Sequence, residues 1–561
     1  MKTEANRKTK GSPLLEIKGL QIAGFRDDHV TEIVKGIDLS LARGEVLGLI
    51  GESGAGKSSV GLAAMGYAKG GCRITGGQVL FEGEDLCVAS SSRKRQLRGT
   101  RIAYVAQSAA AAFNPAHRLN KQIAEAPLRA GLMSRQQVRA ETVSLYKQLS
   151  LPNPEVFGFR YPHQVSGGQL QRAMTAMAMI CTPDLIIFDE PTTALDVTTQ
   201  VEVLATIRAL VERHHTAALY ITHDLAVAAQ MADRIMVLRH GAVVEEAPTR
   251  EMMANPKTEY TRTLWAVREL EKPSGSPAEP LLNIQQLDAW YSDFKVLNSI
   301  NVTVPRGRTV CLVGESGSGK STLGRAVVGL MSQVKGNITY NGAPLPPNIR
   351  DRSPELLRKI QMIHQIPDTA MNPRHTVREI IGRPLRLFQK LKGATLDAEI
   401  KRLLERIELD EDFIDRYPHE LSGGQKQRIC IARALAAKPE LIVCDEVTSA
   451  LDQVVQEGIL RLLMGIQQES GISYIFITHD IATVRAIADD VVVMNKGEIV
   501  EQGHKDQVLS PPHKPYTELL LSSVPNMDAD WLTELLKTRS SGASVSVLAD
   551  ESARLKKAQG K

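Results

Sequence analysis

The chain repeats itself, and that repetition limits what it can fold into more than any other feature. GESGAGKSS at Gly51–Ser59 returns as GESGSGKST at Gly314–Thr322. YPHQVSGGQLQR at Tyr161–Arg172 returns as YPHELSGGQKQR at Tyr417–Arg428, and LIIFDEPTTALD at Leu185–Asp196 as LIVCDEVTSALD at Leu441–Asp452. YITHD, ending at Asp224, returns as FITHD, ending at Asp480. The first pair is displaced by 263 residues and the other three by 256, always in the same order. The 561 residues are therefore one domain of about 250–270 residues written twice, not the three or four unrelated domains that length alone suggests.

A boundary is visible at Glu271–Pro280, EKPSGSPAEP, whose three prolines, glycine and serines read as a semi-extended linker. The second half then opens LLNIQQLDAWY, matching LLEIKGLQIAG near the first start. This sets a first domain at 13–270, a linker at 271–280, a second domain at 281–526 and a polar, Ser-rich tail at 527–561. Within the tail, Trp531–Leu536 reads as a short helix with no function attached.

Within each half, Val46–Ile50 is a short apolar run ending in a glycine loop and reads as a buried strand, with a helix after Ser58. Ala217–Ile221 and Tyr474–Ile477 are further strands, and Ala226–Met231 is helical. Gly76–Phe81 and Gly336–Tyr340 read as short antiparallel strands around turns. Apolar strands alternating with helices predict an α/β domain with a largely parallel sheet.

Composition narrows the function. Lys and Arg number 68 against 63 Asp and Glu, and aromatics are only 4%, so a dedicated nucleic-acid surface is not expected. The six cysteines, Cys72, Cys87, Cys181, Cys311, Cys430 and Cys444, form no CxxC pair, which argues against zinc, iron–sulfur and disulfide frameworks. Four sit in or beside apolar stretches and are expected to be buried thiols, in keeping with a cytosolic compartment. Met1–Gly11 is polar and basic with no apolar run behind it, so no signal peptide is expected. No apolar run reaches the ~18 residues of a membrane-spanning helix; a membrane role would need another polypeptide to cross.

Each glycine loop has the spacing GxxxxGK[ST]. Such a loop turns from a strand into a helix with its backbone N–H groups pointing inward, a nest that a polyphosphate can occupy. Gly51, Ser53, Gly54, Gly56 and Ser59 in the first half, and Gly314, Ser316, Gly317, Gly319 and Thr322 in the second, make this cradle. Lys57 and Lys320 are expected to reach the β- and γ-phosphates, and Ser58 and Ser321 to place a hydroxyl on Mg²⁺. An apolar strand ending in Asp189-Glu190, and its repeat ending in Asp445-Glu446, places paired acids at the carboxyl edge of the sheet. Asp189 and Asp445 can hold Mg²⁺ or its waters, and Glu190 and Glu446 can position an attacking water; helix N-capping is the plainer alternative. His223 and His479, each after an apolar run, can hydrogen-bond a γ-phosphate.

These segments resemble the nucleotide-binding domains of ABC transporters, and the decisive one is SGGQ: Ser166-Gly167-Gly168-Gln169 and Ser422-Gly423-Gly424-Gln425. The resemblance covers about residues 13–525. It implies two tandem P-loop NTPase domains of α/β class, each with a mainly parallel core sheet, a small antiparallel β subdomain and a helical subdomain. It implies ATP with Mg²⁺, held between the glycine loop of one domain and the SGGQ of the other. A helix starting at Gln169 or Gln425 would add anion stabilisation there. By the same resemblance Gln107 and Gln365 contact Mg²⁺ or water and couple to a partner. Tyr291 stacks on adenine, with only Phe25 at a shifted position in the first half, and Asp196 and Asp452 cross between domains. Two departures stand out. Val447 replaces the usual proline, seen as Pro191 in the first half, and predicts a looser turn after Glu446. The first glutamine loop reads QSAAAAFNP, poor in acid and proline after the glutamine, which predicts altered docking to a partner more than altered ATP chemistry.

Other tandem-cassette systems lack support: exporters carry their own membrane helices, translation-linked proteins a long charged linker, recycling types an iron–sulfur region and repair types zinc modules. NPKTEYTRTL at Asn255–Leu264 and PPHKPYTELLLSSVP at Pro511–Pro525 resemble the C-terminal segment of peptide, oligopeptide and nickel importer ATPases. YPHQ, YPHE, Asn114-Pro115 and Asn372-Pro373 resemble the same subgroup. The expectation is an ATP-hydrolysing subunit on the cytoplasmic face of a bacterial inner membrane. Its partners would be two transmembrane permease subunits and an extracytoplasmic substrate-binding protein. Peptide is the leading cargo, with opines, glycosides, nickel chelates and antibiotics open. The alternative is a soluble tandem ATPase acting on a ribosome or other assembly. Arg93-Lys94-Arg95 and Arg98 read as a solvated face near the membrane partner rather than an RNA site.

Overall fold

The computed structural model describes residues 13–26, 29–192, 195–266, 272, 278–331, 333–449 and 451–541. Met1–Gly11, most of the linker and the tail beyond 541 lie outside them. The described residues divide into two compact units. The first comprises 13–195, 199–265 and 525–541; the second comprises 196–198 and 266–524.

In the first unit, β1 (Leu15–Arg26), β2 (His29–Leu41), β4 (Cys72–Phe81) and β5 (Glu84–Asp85) form an antiparallel sheet in the order β2-β1-β4-β5. Along the second part of β2, buried and exposed residues alternate, as expected of a sheet with one face on the core. The core sheet runs β10-β9-β3-β8-β7-β6. Its members are β3 (Val46–Gly51), β6 (Ile102–Val105), β7 (Leu185–Asp189), β8 (Ala217–Ile221), β9 (Arg234–Arg239) and β10 (Ala242–Pro248). All pairs are parallel except β9–β10. Every residue of β3, β7 and β8 is buried, because helices cover both faces; a continuous apolar run is the signature of that situation. The helices that matter below are α1 (Lys57–Ala63), α2 (Arg135–Gln148), α3 (Gly167–Met179), α4 (Val197–His214) and α5 (Leu225–Met231).

The second unit repeats the plan. β11 (Pro280–Tyr291), β12 (Phe294–Pro305), β14 (Val334–Tyr340) and β15 (Ala343–Pro344) form the antiparallel sheet. β13 (Thr309–Val313), β16 (Ile360–Ile363), β17 (Leu441–Asp445), β18 (Ser473–Ile477), β19 (Asp490–Asn495) and β20 (Glu498–His504) form the core sheet, in the order β16-β17-β18-β13-β19-β20. Its helices include α6 (Lys320–Val327), α7 (Val377–Gln389), α8 (Gly393–Arg406), α9 (Gly423–Leu435), α10 (Gln453–Ser470) and α11 (Ile481–Ile487). The last helix of the chain, α12 (Trp531–Ser541), belongs to the first unit.

The α/β class and the two-domain repeat are as expected. Gly76–Phe81 and Gly336–Tyr340 are the ends of the longer strands β4 and β14. The helix expected at Trp531–Leu536 continues to Ser541. Cys181, Cys311, Cys430 and Cys444 are the four buried thiols. Within the basic run Arg95 is exposed and Arg98 is tied into the fold. Arg98 donates to the carbonyl oxygens of Met65 (3.0 Å) and Gly66 (2.7 Å) just past the end of α1. Those carbonyls have no further helical turn to bond, so a guanidinium closes them. Arg93 pairs with Glu84 at 2.8 Å. Among the described residues no helix is long and apolar enough to cross a membrane.

Candidate functional site

Strand order brings the chemistry together. β3, β8 and β7 are neighbours, with β6 beside β7, so the residues that follow their carboxyl ends share one edge of the sheet. The phosphate loop follows β3, His223 follows β8, Asp189 ends β7 with Glu190 next, and Gln107 follows β6. The second unit places Lys320, His479, Asp445, Glu446 and Gln365 in the same way.

The loop itself needs glycine at its first position. Gly51 has φ 148° and Gly314 φ 150°, and a Cβ there would collide with the carbonyl oxygen of Leu238 or Met494 on the adjoining strand. Lys57 is buried, and its Nζ donates to the carbonyls of Gly51 (2.7 Å) and Glu52 (2.8 Å). Lys320 does the same with Gly314 (2.7 Å) and Glu315 (2.8 Å). Burial lowers the Lys320 pKa, a sign that this ammonium sits in a poorly hydrated place where an anion is the natural partner.

Beside each lysine lies an oxygen cluster. Ser58 Oγ donates to Asp189 Oδ1 at 2.9 Å, and Ser321 Oγ to Asp445 Oδ1 at 2.8 Å. Burial pushes both aspartates up in pKa, helped by the neighbouring glutamates and opposed by the serine hydrogen bonds. A hydroxyl and a desolvated carboxylate side by side are hard oxygen donors, and this donor set fits Mg²⁺.

The next acid is held differently. Glu190 and Glu446 have φ 47° and 49°, left-handed backbone that costs a non-glycine residue about 1–3 kcal/mol. Each is fixed there by its backbone N–H, which donates to Ile221 O (2.9 Å) or Ile477 O (3.0 Å). The side chains meet two further expected residues. Gln107 Nε2 donates to Glu190 Oε2 at 2.9 Å, and Gln365 Nε2 to Glu446 Oε2 at 2.6 Å. His223 Nδ1 lies 3.3 Å from Glu190 Oε2, and His479 Nδ1 3.6 Å from Glu446 Oε1. Burial works to lower both histidine pKa values, but the hydrogen bond and charge of the glutamate outweigh it, and the net shift is upward. Burial likewise works to raise the Glu446 pKa, and the hydrogen bond and charge of His479 bring it below the ordinary value. Glutamine, glutamate and histidine thus form one polar group at the mouth of each loop, able to hold a water and relay hydrogen bonds.

The SGGQ segments start helices. Ser166 caps α3, and its Oγ and the Gln169 side chain bond each other's backbone N–H, both at 3.3 Å; Ser422 and Gln425 repeat the box on α9. The helices begin at Gly167 and Gly423, two residues earlier than expected, because the serine cap rather than the glutamine sets the first turn. Gly168 and Gly424 are required by close approach: a Cβ would strike Thr199 of α4 or Val455 of α10. Asp452 caps α10 by accepting from Val455 N at 3.0 Å, and Asp196 precedes α4 and accepts from Thr198 Oγ1 at 2.8 Å. Tyr291 and Phe25 both stand exposed near the ends of their strands; Arg325 donates to Tyr291 Oη at 3.2 Å and Arg73 lies over the Phe25 ring.

At the two sequence departures the described backbone is similar in both halves. Glu446, before Val447, keeps the left-handed conformation and the backbone bond of Glu190, before Pro191. QSAAAAFNP still forms one helical turn, Ala109–Ala112, capped by Ser108, where the second unit uses Pro367 at the same place.

Two functional candidates escaped the sequence reading. Tyr104 Oη donates to Asp189 Oδ2 at 2.6 Å. A lone tyrosine in an apolar strand gives little signal, although strand order places β6 directly beside the acid-bearing β7. Tyr516 Oη accepts from the backbone N–H of Glu315 in the second phosphate loop at 3.1 Å. Its counterpart Tyr260 lies beneath Arg239, 4.5 Å from ring centroid to guanidinium.

Comparison with known proteins agrees with this geometry. The ABC transporter family matches residues 34–193 and 297–449, and the oligopeptide/dipeptide transporter C-terminal region matches 500–550. The glutathione import ATP-binding protein GsiA of Salmonella choleraesuis (strain SC-B67) is 36% identical over 92% of this chain and 90% of its own. The protein of the same name from Pectobacterium atrosepticum is 37% identical, with the same coverage. Among solved structures, one chain of the complex of archaeal ribosomal stalk protein and archaeal ribosome recycling factor superimposes with a TM-score of 0.56. It is 19% identical, and the match covers 85% of this chain and 88% of that one, a likeness of fold.

Proposed function

The chain belongs to the ABC transporter ATP-binding proteins of the peptide, nickel and glutathione importer family, with two nucleotide-binding halves fused, and we propose that it drives uptake of a peptide or peptide-like small solute. It is the ATPase subunit of an importer. The observation that supports the finer reading is the glutamine–glutamate contact repeated in each half together with the oligopeptide/dipeptide C-terminal match at 500–550.

In this reading the triphosphate enters the nest of backbone N–H groups, and Lys57 or Lys320 turns from the loop carbonyls to the β- and γ-phosphates. Ser58, Asp189 and Gln107, and in the second half Ser321, Asp445 and Gln365, would hold Mg²⁺, which when bound neutralises charge on the phosphates. Tyr291 supplies an adenine platform. Glu190 and Glu446 orient the attacking water, and His223 and His479 stabilise the γ-phosphate while holding the glutamates. The exposed starts of α3 and α9 offer backbone N–H groups to a γ-phosphate carried by a neighbouring cassette, with Asp196 and Asp452 passing the state of one site to the other. ATP binding pulls on two permease subunits at the cytoplasmic face of a bacterial inner membrane, hydrolysis resets them, and an extracytoplasmic binding protein delivers the solute.

The test is purification of the tagged chain from detergent-solubilised cells, followed by ATPase assay with the co-purifying proteins. Two multi-helical membrane proteins, and turnover stimulated by di- or tripeptides with the binding protein present, support the proposal. Ribosomal particles in their place would sink it. Stimulation by a nickel chelate or a glycoside but by no peptide would move the cargo and leave the importer.

A further inference from the structure

The two halves part company at the short helix that follows each histidine. In the first unit Gln230 on α5 is buried. Its Nε2 donates to the carbonyl oxygens of Asn526 (3.2 Å) and Asp528 (2.6 Å), and its Oε1 accepts from the backbone N–H of Leu532 (3.0 Å). One side chain thus closes three bonds to the stretch leading into α12. Around it Leu532 and Leu535 are buried, Arg208 of α4 donates to Thr533 Oγ1 at 3.1 Å, and Arg250 grips Asp530 with two bonds of 2.9 and 2.8 Å. The 256-residue repeat puts Ala486 at the position of Gln230, Met464 at that of Arg208 and Asp506 at that of Arg250. The second half therefore has none of these three partners to offer, and the charge at the last is reversed.

The second half secures its helix by other means. Gln456 of α10 donates to Asp480 Oδ2 (2.8 Å) and Thr483 Oγ1 (2.7 Å), pinning the first turn of α11. In the first half Val227 stands in place of Thr483 and has no hydroxyl, while Gln200, in place of Gln456, donates to Thr192 Oγ1 at 3.4 Å. A helix of seven residues is not stable alone, so its placement follows from what packs on it. Asp224, directly after His223, caps α5 by accepting from Ala226 N (2.9 Å) and Val227 N (3.4 Å), so a displaced α5 carries the histidine with it.

We propose that Pro525–Ser541 is a strap that holds α5, and through it His223 against Glu190, with Gln230 a positioning residue for the first site and not the second. This rests on the reading of His223 and Glu190 given above. The strap takes the place of the Gln456–Thr483 contact that the first half lacks.

Hydrogen-exchange mass spectrometry of the full chain tests it, with two variants: a chain ending at Val524, and Gln230→Met, which keeps the strap and the side-chain length but none of the three bonds. Exchange over residues 221–232 is expected to rise about tenfold in both, while 477–488 stays within about twofold. Gln230→Met is expected to lower kcat for ATP about 3–10-fold, with KM within about twofold and the melting temperature nearly unchanged, a split that loss of bulk stability would not give. Unchanged exchange over 221–232, or an equal rise over 477–488, overturns the strap. A His223→Ala chain that hydrolyses ATP at the normal rate would instead overturn the role of the histidine, and the exchange data would still judge the strap.

Discussion

The two phosphate sites share every group that their sequence motifs name and differ in what surrounds those groups. Lysine, serine, aspartate, glutamate, glutamine and histidine meet at nearly the same distances in each. Behind them the halves diverge. Aligning Ile102–Gln107 with Ile360–Gln365 sets Met362 opposite Tyr104, so the phenol that bonds Asp189 is replaced by a thioether that has no proton to donate. Val447 stands opposite Pro191, and Gln230 opposite Ala486. The shared geometry is reproduced in each half by contacts among the repeated motifs: a left-handed glutamate, a serine on an aspartate, a glutamine on the glutamate. The supporting contacts come from residues outside the repeated motif positions and are free to differ.

The largest test of this equivalence is removal of either glutamate. Glu190→Gln and Glu446→Gln should each lower ATP turnover at least about 100-fold, the loss typical of a missing general base. Each variant should retain ATP in a trapped state, read by nucleotide content after gel filtration. Full-rate hydrolysis by either one would show that its glutamate does not position the water. A large loss in one with little in the other would show that a single site does the work.

Tyr104 separates the sites more finely. Burial raises the Asp189 pKa, and the Tyr104 hydrogen bond opposes that rise. Tyr104→Phe removes the opposing bond, so the carboxylate protonates at higher pH. The acid limb of the pH–rate profile should move up by about one pH unit, the equivalent of one modest hydrogen bond to a charged group, with the loss confined to the acid side of the profile. Met362→Tyr should move the limb the other way. No movement in either would mean that the phenol packs against the acid without tuning it.

The motif residues of both sites were legible in sequence because the repeat displays them twice and each belongs to a short local pattern. Lys57, Ser58, Asp189, Glu190, Gln107 and His223 all fall where strand ends place them. Tyr104 was not legible, since one phenol in IAYV looks like core until the neighbouring strand is known. The docking of α12 was not legible either. Its buried leucines and the three bonds to Gln230 join residues about 300 positions apart, and a polar, Ser-rich stretch carries no periodic sign of such a partner.

Protonation of the histidines gives a third, smaller contrast. The pKa of each is raised above the usual value of about 6.5. The folded state therefore binds the proton more tightly than the unfolded chain. The stability this contributes is complete below pH ~6.5 and is lost as pH rises through the folded value. The melting temperature of the unaltered chain over His223→Gln should exceed that variant's most at pH 6 and least at pH 8.5, by a few degrees at most. With its contact at 3.6 Å rather than 3.3 Å, His479→Gln should show the smaller effect. A gap that widens with pH would reverse the assigned direction of the shift.

Val447→Pro is the smallest change and the most direct exchange of one half's residue for the other's. Val447 is buried and packs into the core of the second unit, so proline in its place loses some apolar contact, of the order of one methylene or about 0.8 kcal/mol. Against this, proline restricts the unfolded chain and returns about 0.4–1 kcal/mol where the native backbone accepts it. Pro191 shows that this turn accepts proline, since Glu190 and Glu446 share their backbone conformation. The two effects nearly cancel, so the melting temperature should move by no more than about 2 °C, the scale of a sub-kilocalorie change in a chain of this size. ATP turnover should stay within about twofold. A several-fold rise in turnover would mean that the valine restrains Glu446 in a way its backbone does not display, and the two sites would then differ in chemistry as well as in support.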